Sequence, residues 1–219
     1  MASLNIIFNL QKEKKMKHFV YFSSSATTSG KTLSGDLMKA GRIDIAIHSL
    51  IQGIFLSRSV REDVKFHFIF YGMPDPPKHI EIQVKQEKGM PETGTKVQSL
   101  DISKKDIAGL LKKMLYKCKK DKKTEVFSGC FIEKKSFLKV VEELGKENQI
   151  FLLDKKGEDL REVEIKENCV FVLGDHDGLP KKELKRLRKI ATPVSIGKKI
   201  YFASQTIAIV NNELDRRNI

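Results

Sequence analysis

Cysteine is scarce in this chain and poorly spaced for a bond. The three cysteines, Cys118, Cys130 and Cys169, form no CxxC pair, and an odd number cannot all pair within one chain. A disulfide framework and a cysteine-based zinc site are both excluded by this arithmetic, and reduced thiols in a cytoplasmic protein are expected. Long apolar runs are also missing. No stretch approaches the ~20 residues that span a bilayer, so no membrane partner is expected. The opening MASLNIIFNLQKEKK has a short apolar run with no basic segment before it and no clear cleavage site after it, unlike a signal peptide. Neither GxGxxG nor a P-loop occurs, so the common phosphate cradles are not signalled. No Ser-His-Asp or Cys-His arrangement stands out, and no internal repeat is visible.

What is present is positive charge on a chain able to fold. The 219 residues are 40% hydrophobic, enough for a real core, and carry a formal net charge of +13. Such an excess attracts polyanions, of which nucleic acid is the commonest, although a lysine-rich soluble surface would look the same. The lysine run KCKKDKK at 117–123 is the best single candidate for phosphate contact. The periodic pattern begins after Met16. Residues 1–16 are therefore expected to be a disordered extension, and residues 17–219 a single domain.

Short apolar runs alternate with helical periodicity. HFVYF (18–22), KFHFIFYG (65–72), HIEIQV (79–84), IFLL (150–153), CVFVL (169–173) and ATPVSIG (191–197) read as strands. Apolar residues at helical spacing predict helices over 43–55, 107–115, 137–144, 180–190 and 203–217. In the helix after Pro180, Leu184, Leu187 and Ile190 should face inward. Residues 86–105 should be a loop. IFLL and CVFVL are apolar without a break, as in strands buried on both faces of a parallel sheet. The alternation implies an α/β fold with a parallel sheet flanked by helices.

Ligands of open α/β sheets collect at the carboxyl ends of the strands. Three loops leave such ends: after Leu153, from Gly174, and around Ser195–Tyr201. Gly174 and Gly178 let the backbone turn sharply and approach a ligand. Asp175, His176 and Asp177 invite a metal reading, yet consecutive side chains diverge and no second cluster completes a site. No metal is expected there. Arg42 and Asp44 open the first long helix, and Arg58, Arg61, Glu62 and Asp63 follow its end. Such a group is either surface ion pairing or an arginine site for phosphate with a carboxylate as proton acceptor. His48 shares a helix with Ile47 and Leu50 and reads as packed.

Four segments in register carry a resemblance. AGRIDIAIHSLIQGIFLSRSVREDVKFHFIFYGMPDPP (40–77), VFVLGDH (170–176), VSIG (194–197) and TIAIVNNELDRR (206–217) resemble the archaeal tRNA pseudouridine N1-methyltransferases known as TrmY. The resemblance covers about 17–217 and is weakest in the lysine-rich middle. It implies a SPOUT fold, in which a parallel sheet ends in a C-terminal trefoil knot, and a homodimer. It implies S-adenosyl-L-methionine as cofactor, held by positions matching Leu153, Gly174, Ile196, Gly197, Lys198, Lys199, Ile200, Tyr201 and Thr206. The implied substrate is a pseudouridine in the T arm of tRNA, with Asp44 as proton acceptor or orienter and Arg42 and Arg61 stabilising charge. Thr206 stands where many members have Cys, Phe202 and Gln205 where they often have His, and Lys198 where they have Pro. Two further readings stay open at this point: a SPOUT methyltransferase acting on rRNA, and a non-catalytic RNA-binding protein on the same fold.

Overall fold

A computed structural model describes residues 15–33, 35–84 and 103–219. Most of the expected extension over 1–16 and of the expected loop over 86–105 lies outside the described residues.

The amino-terminal half is built from β1 (Lys17–Ser23), α1 (Ile43–Ile54), β2 (Val64–Phe70), β3 (Lys78–Ile82), α2 (Lys104–Lys117), β4 (Thr124–Phe127) and β5 (Cys130–Glu133). Then follow α3 (Phe137–Leu144), β6 (Gln149–Asp159), β7 (Cys169–Gly174), α4 (Lys181–Leu187), β8 (Thr192–Ser195) and α5 (Ala203–Arg216). All eight strands join one sheet in the order β4-β5-β3-β2-β1-β7-β6-β8. The pairs β2–β1, β1–β7, β7–β6 and β6–β8 are parallel, whereas β3, β5 and β4 add antiparallel edges.

The central strands bury both faces, as their unbroken apolar runs require. On one face Phe66, Phe19, Phe171 and Phe151 form a ladder across four strands, with ring centroids 6.2, 5.9 and 5.1 Å apart. This face packs Ile47 and Leu50 of α1, Leu111 and Met114 of α2, and Ile207 and Val210 of α5. On the other, Val20, Phe22, Val170, Val172 and Leu152 meet Phe137, Val140 and Val141 of α3 and Leu187 of α4. Asn211 of α5 donates from Nδ2 to the carbonyls of Gln52 and Gly53, at 2.9 and 3.3 Å, and so satisfies orphan carbonyls at the end of α1.

Three details differ from the sequence expectation. First, the sheet is mixed. The hairpin of β4 and β5 had a readable signal, since TEVF and CFIE flank Ser128-Gly129, and Gly129 supplies the left-handed turn with φ 75. Second, β6 runs well past Leu153. Val194 of β8 is the partner of both Leu153 and Glu158, so residues 154–157 bulge out of the pairing between β6 and β8. Gly157 permits this, because a Cβ there would lie 2.4 Å from the Val194 nitrogen. Third, α4 ends at Leu187, and Ile190, expected on its inner face, is 46% exposed.

Candidate functional site

The carboxyl ends of β6, β7 and β8 and the start of α5 enclose a cavity of about 630 Å³. That size and place suit a cofactor. Leu153, Gly174, Ile196, Gly197, Lys199, Ile200, Tyr201 and Thr206 all line it, while Lys198 lies in the same loop but not on the wall.

Close backbone approach shapes the floor. A Cβ on Gly174 would lie 2.5 Å from the Gly178 carbonyl carbon, and Gly178 itself has φ 74. The loop after β8 is tied by Ser195, whose Oγ donates to the Gly197 carbonyl and accepts from the Gly197 N–H, each at 3.1 Å. At the start of α5 the Phe202 N–H donates to Gln205 Oε1, and Thr206 Oγ1 donates to the Phe202 carbonyl, both at 3.1 Å. Arg188 reaches across the rim to Asp154, with Nη2 2.6 Å from Oδ2.

Asp175 is the informative polar group in the wall. Its N–H donates to the Phe22 carbonyl at 2.9 Å, and its Oδ1 accepts from the Asp177 N–H at 2.9 Å. Its Oδ2 is buried without a partner among the described residues. A buried carboxylate oxygen left unpaired is costly, so it points to a cationic or hydrogen-bonding ligand. The Tyr21 hydroxyl is likewise buried and unpartnered. Burial pushes its pKa up, and the Asp175 and Asp44 carboxylates add to the shift.

Tyr21 thus feels both the Asp175 carboxylate in the cavity wall and the Asp44 carboxylate at the start of α1. There Gly41 and Arg42 take left-handed backbone, with φ 74 and 60. This turn folds the Arg42 guanidinium back on Asp44, with Nε to Oδ1 and Nη2 to Oδ2 each 3.0 Å. The hydrogen bonds from Arg42 hold the Asp44 carboxyl below the usual carboxylate range. The next residue, Ile45, lines the cavity.

Arg61 is not brought to this place. It precedes β2, at the amino end of the strand, and donates from Nη1 and Nη2 to the two carboxylate oxygens of Asp215 at 2.6 and 2.5 Å. Of the three residues expected to act in catalysis, the fold brings Arg42 and Asp44 together, while Arg61 ties α5 to the loop before β2. Spacing along the chain could not show this, because Asp215 is 154 residues away. Sequence reasoning also missed a basic rim. Lys181, Lys182, Lys185, Arg186 and Lys189 are exposed on and just after α4, while Leu184 and Arg188 of the same segment line the cavity. In the lysine run, Lys119 and Lys122 pair across a tight turn, and Lys123 is 2.8 Å from Glu81.

The sequence matches the family model described as "Putative SAM-dependent RNA methyltransferase" over residues 16–219. The chain belongs to this family of S-adenosylmethionine-dependent RNA methyltransferases. It is 36% identical over 205 residues, 92% of this chain and all of the other, to the tRNA (pseudouridine(54)-N(1))-methyltransferase of Methanocella arvoryzae. It is 34% identical over 207 residues, 91% of this chain and 99% of the other, to the protein of the same name from Thermococcus kodakarensis. Among solved structures, Archaeoglobus fulgidus Nep1 bound to S-adenosylhomocysteine superposes with a TM-score of 0.60 over 93% of this chain and 99% of that one. At 15% identity that likeness speaks for the fold. For a member of this family the cavity fits the cofactor: S-adenosylmethionine carries a sulfonium and an ammonium charge, and Asp175 Oδ2 waits unpaired in the wall.

Proposed function

We propose that this chain N1-methylates a pseudouridine in the T-loop of tRNA, at the position corresponding to 54. The cavity with its unpaired Asp175 oxygen, flanked by the Arg42–Asp44 pair, is the observation that carries the reading. The full-length similarity to enzymes of that name in two archaea supports the substrate. Bound S-adenosylmethionine would supply a methyl group on a sulfonium sulfur, held by the loops that contain Leu153, Gly174 and Ile196–Tyr201, with Thr206 at the end of the wall.

The protein's own residues then have three tasks. Pseudouridine has an N1–H that uridine lacks, and N1 becomes nucleophilic as that proton leaves. Asp44 is ionised beside Arg42 and would accept the N1–H. Arg42 stabilises the negative charge that spreads onto the neighbouring carbonyl oxygens. Its side chain is 37% exposed, so it can reach a base turned out of the RNA stack. Alignment of the two reactants supplies the remainder of the rate. The basic rim of α4 and the lysine turn at 119–122 would hold the RNA backbone.

A trefoil knot, supported by the family match over residues 16–219, belongs to this reading. So does a homodimer, for which exposed Ile200 and Phe202 beside the cavity offer an apolar face. A methyl-transfer assay tests the proposal, using labelled S-adenosylmethionine and T-arm RNAs with uridine or pseudouridine in the loop. Label only in the pseudouridine RNA, mapped to N1, is expected. Equal label in both RNAs, or label at another atom, would overturn it.

A further inference from the structure

A row of buried polar side chains crosses the sheet toward the amino end of β1 and takes no part in the site above. His18 Nδ1 lies 2.9 Å from His67 Nε2, His67 Nδ1 lies 3.0 Å from His79 Nε2, and His79 Nδ1 lies 3.0 Å from Glu133 Oε1. These residues come from β1, β2, β3 and β5, and all are at least 91% buried. The cross-strand register sets Glu81 opposite His67 on β3, two residues from His79 and so on the same face. Ligand atoms of His67, His79 and Glu81 all lie within 4.8 Å of one another.

We propose that His67 Nδ1, His79 Nε2 and a Glu81 carboxylate oxygen form a binding site for a borderline divalent transition-metal ion such as Zn²⁺. Two imidazoles and a carboxylate are a ligand set such ions favour, and one that hard cations such as Mg²⁺ do not. The surroundings strengthen the case. A metal-bound imidazole usually donates its second N–H to a carboxylate, carbonyl or other acceptor. Both rings have such a partner in place: with the ion bound, His79 Nδ1–H donates to Glu133 Oε1 and His67 Nε2–H donates to His18 Nδ1.

Without an ion, one proton bridges His67 Nδ1 and His79 Nε2. The ion takes its place: the His67 ring proton shifts from Nδ1 to Nε2 and the His18 proton from Nδ1 to Nε2, so the number of ring protons is unchanged. With metal–nitrogen bonds of ~2.0–2.1 Å in tetrahedral array the two nitrogens would stand ~3.3 Å apart, so the pair opens only slightly from 3.0 Å. Burial keeps both His18 and His67 imidazoles neutral, which is the metal-binding form. The opposing charges are Lys123 and Lys65, at 2.8 and 3.9 Å from the Glu81 oxygens. Their side chains are 41% and 31% exposed and free to swing outward. Neither the ligands nor their partners could be read as a motif, because they sit on four separate strands.

The test is calorimetric titration of the metal-stripped full chain with Zn²⁺, in two buffers of different ionisation enthalpy. Absorption with Co²⁺ serves as a second probe. One ion per chain, no net proton release and a four-coordinate Co²⁺ spectrum are expected. His67→Gln and His79→Gln should each weaken binding at least 100-fold, and Glu133→Gln by ~10–100-fold. Asp177→Asn should change nothing, which separates this site from the exposed cluster at Asp175–Asp177. Should a histidine variant fail to fold, Glu81→Gln, at a position less deeply buried than the histidines, should still lower the affinity at least tenfold. Failure of the wild-type chain to bind at micromolar Zn²⁺, or binding that survives His67→Gln or Glu81→Gln unchanged, would overturn the proposal. The measurement needs neither cofactor nor RNA, so its outcome is independent of the methyltransferase reading.

Discussion

Placing a single methyl group on Gly174 should damage the cofactor cavity while leaving the rest of the sheet intact. The new Cβ would stand 2.5 Å from the Gly178 carbonyl carbon, 2.7 Å from its Cα and 2.8 Å from its oxygen. Ordinary contact begins near 3.4 Å, and the obstruction is backbone, which cannot rotate away as a side chain would. Residue 174 itself needs no positive φ, so the effect of Gly174→Ala is steric alone. Overpacking of this kind costs ~1–3 kcal/mol. If the loop retreats, the cost falls on the native fold and should lower the melting temperature by ~2–10 °C for a chain of this length. The same displacement widens the cavity floor beside Asp175, so affinity for S-adenosylhomocysteine should fall by ~5- to 150-fold at ~1.4 kcal/mol per decade. Differential scanning fluorimetry and calorimetric titration read the two effects separately. A Gly174→Ala protein with unchanged melting temperature and unchanged cofactor affinity would show that the Gly174–Gly178 contact does not shape the site. Gly178→Ala is the companion: open space surrounds its Cβ, but φ 74 makes it costly by ~1–2 kcal/mol through backbone strain.

Three further perturbations probe other parts of the molecule. Asp215 is held below the usual carboxylate range by its hydrogen bonds with Arg61. Its folded pKa is depressed, so its contribution to stability is full above the ordinary value of ~4 and disappears as pH falls through the lower folded value. Asp215 is 45% exposed, so solvent screening limits the loss in Asp215→Asn to ~1 kcal/mol at neutral pH. Urea unfolding from pH 7 to 3 should show a flatter acid limb for the variant, and identical limbs would refute the pairing. Tyr21→Phe removes a hydroxyl that has no partner among the described residues. Thermal stability should hold or rise. A clear drop in melting temperature would mean that the hydroxyl has a structural role. Lys185→Glu with Arg186→Glu should weaken RNA binding and reduce its dependence on log salt by ~1–2 units, with cofactor affinity unchanged. Fluorescence anisotropy across a salt series reads this, and an unchanged slope would take α4 out of the RNA surface.

Much of the molecule was written locally. The unbroken apolar runs at 150–153 and 169–173 specified buried parallel strands, and period-3.6 spacing specified α1, α3 and α5, because burial acts residue by residue along one element. The loops leaving β6, β7 and β8 followed from strand direction alone, and eight of the nine expected cofactor residues line the cavity. The four matching segments added the cofactor and the chemistry, which no periodicity contains. Tertiary structure decided the rest, where partners are distant in sequence. It gave Arg61 to Asp215, set a bulge at 154–157 against β8, and left Asp175 Oδ2 and the Tyr21 hydroxyl unpaired among the described residues. It also aligned His18, His67, His79 and Glu133 across four strands. A sequence fixes which face of its own strand a side chain takes, but which strands lie beside it is a property of the whole sheet.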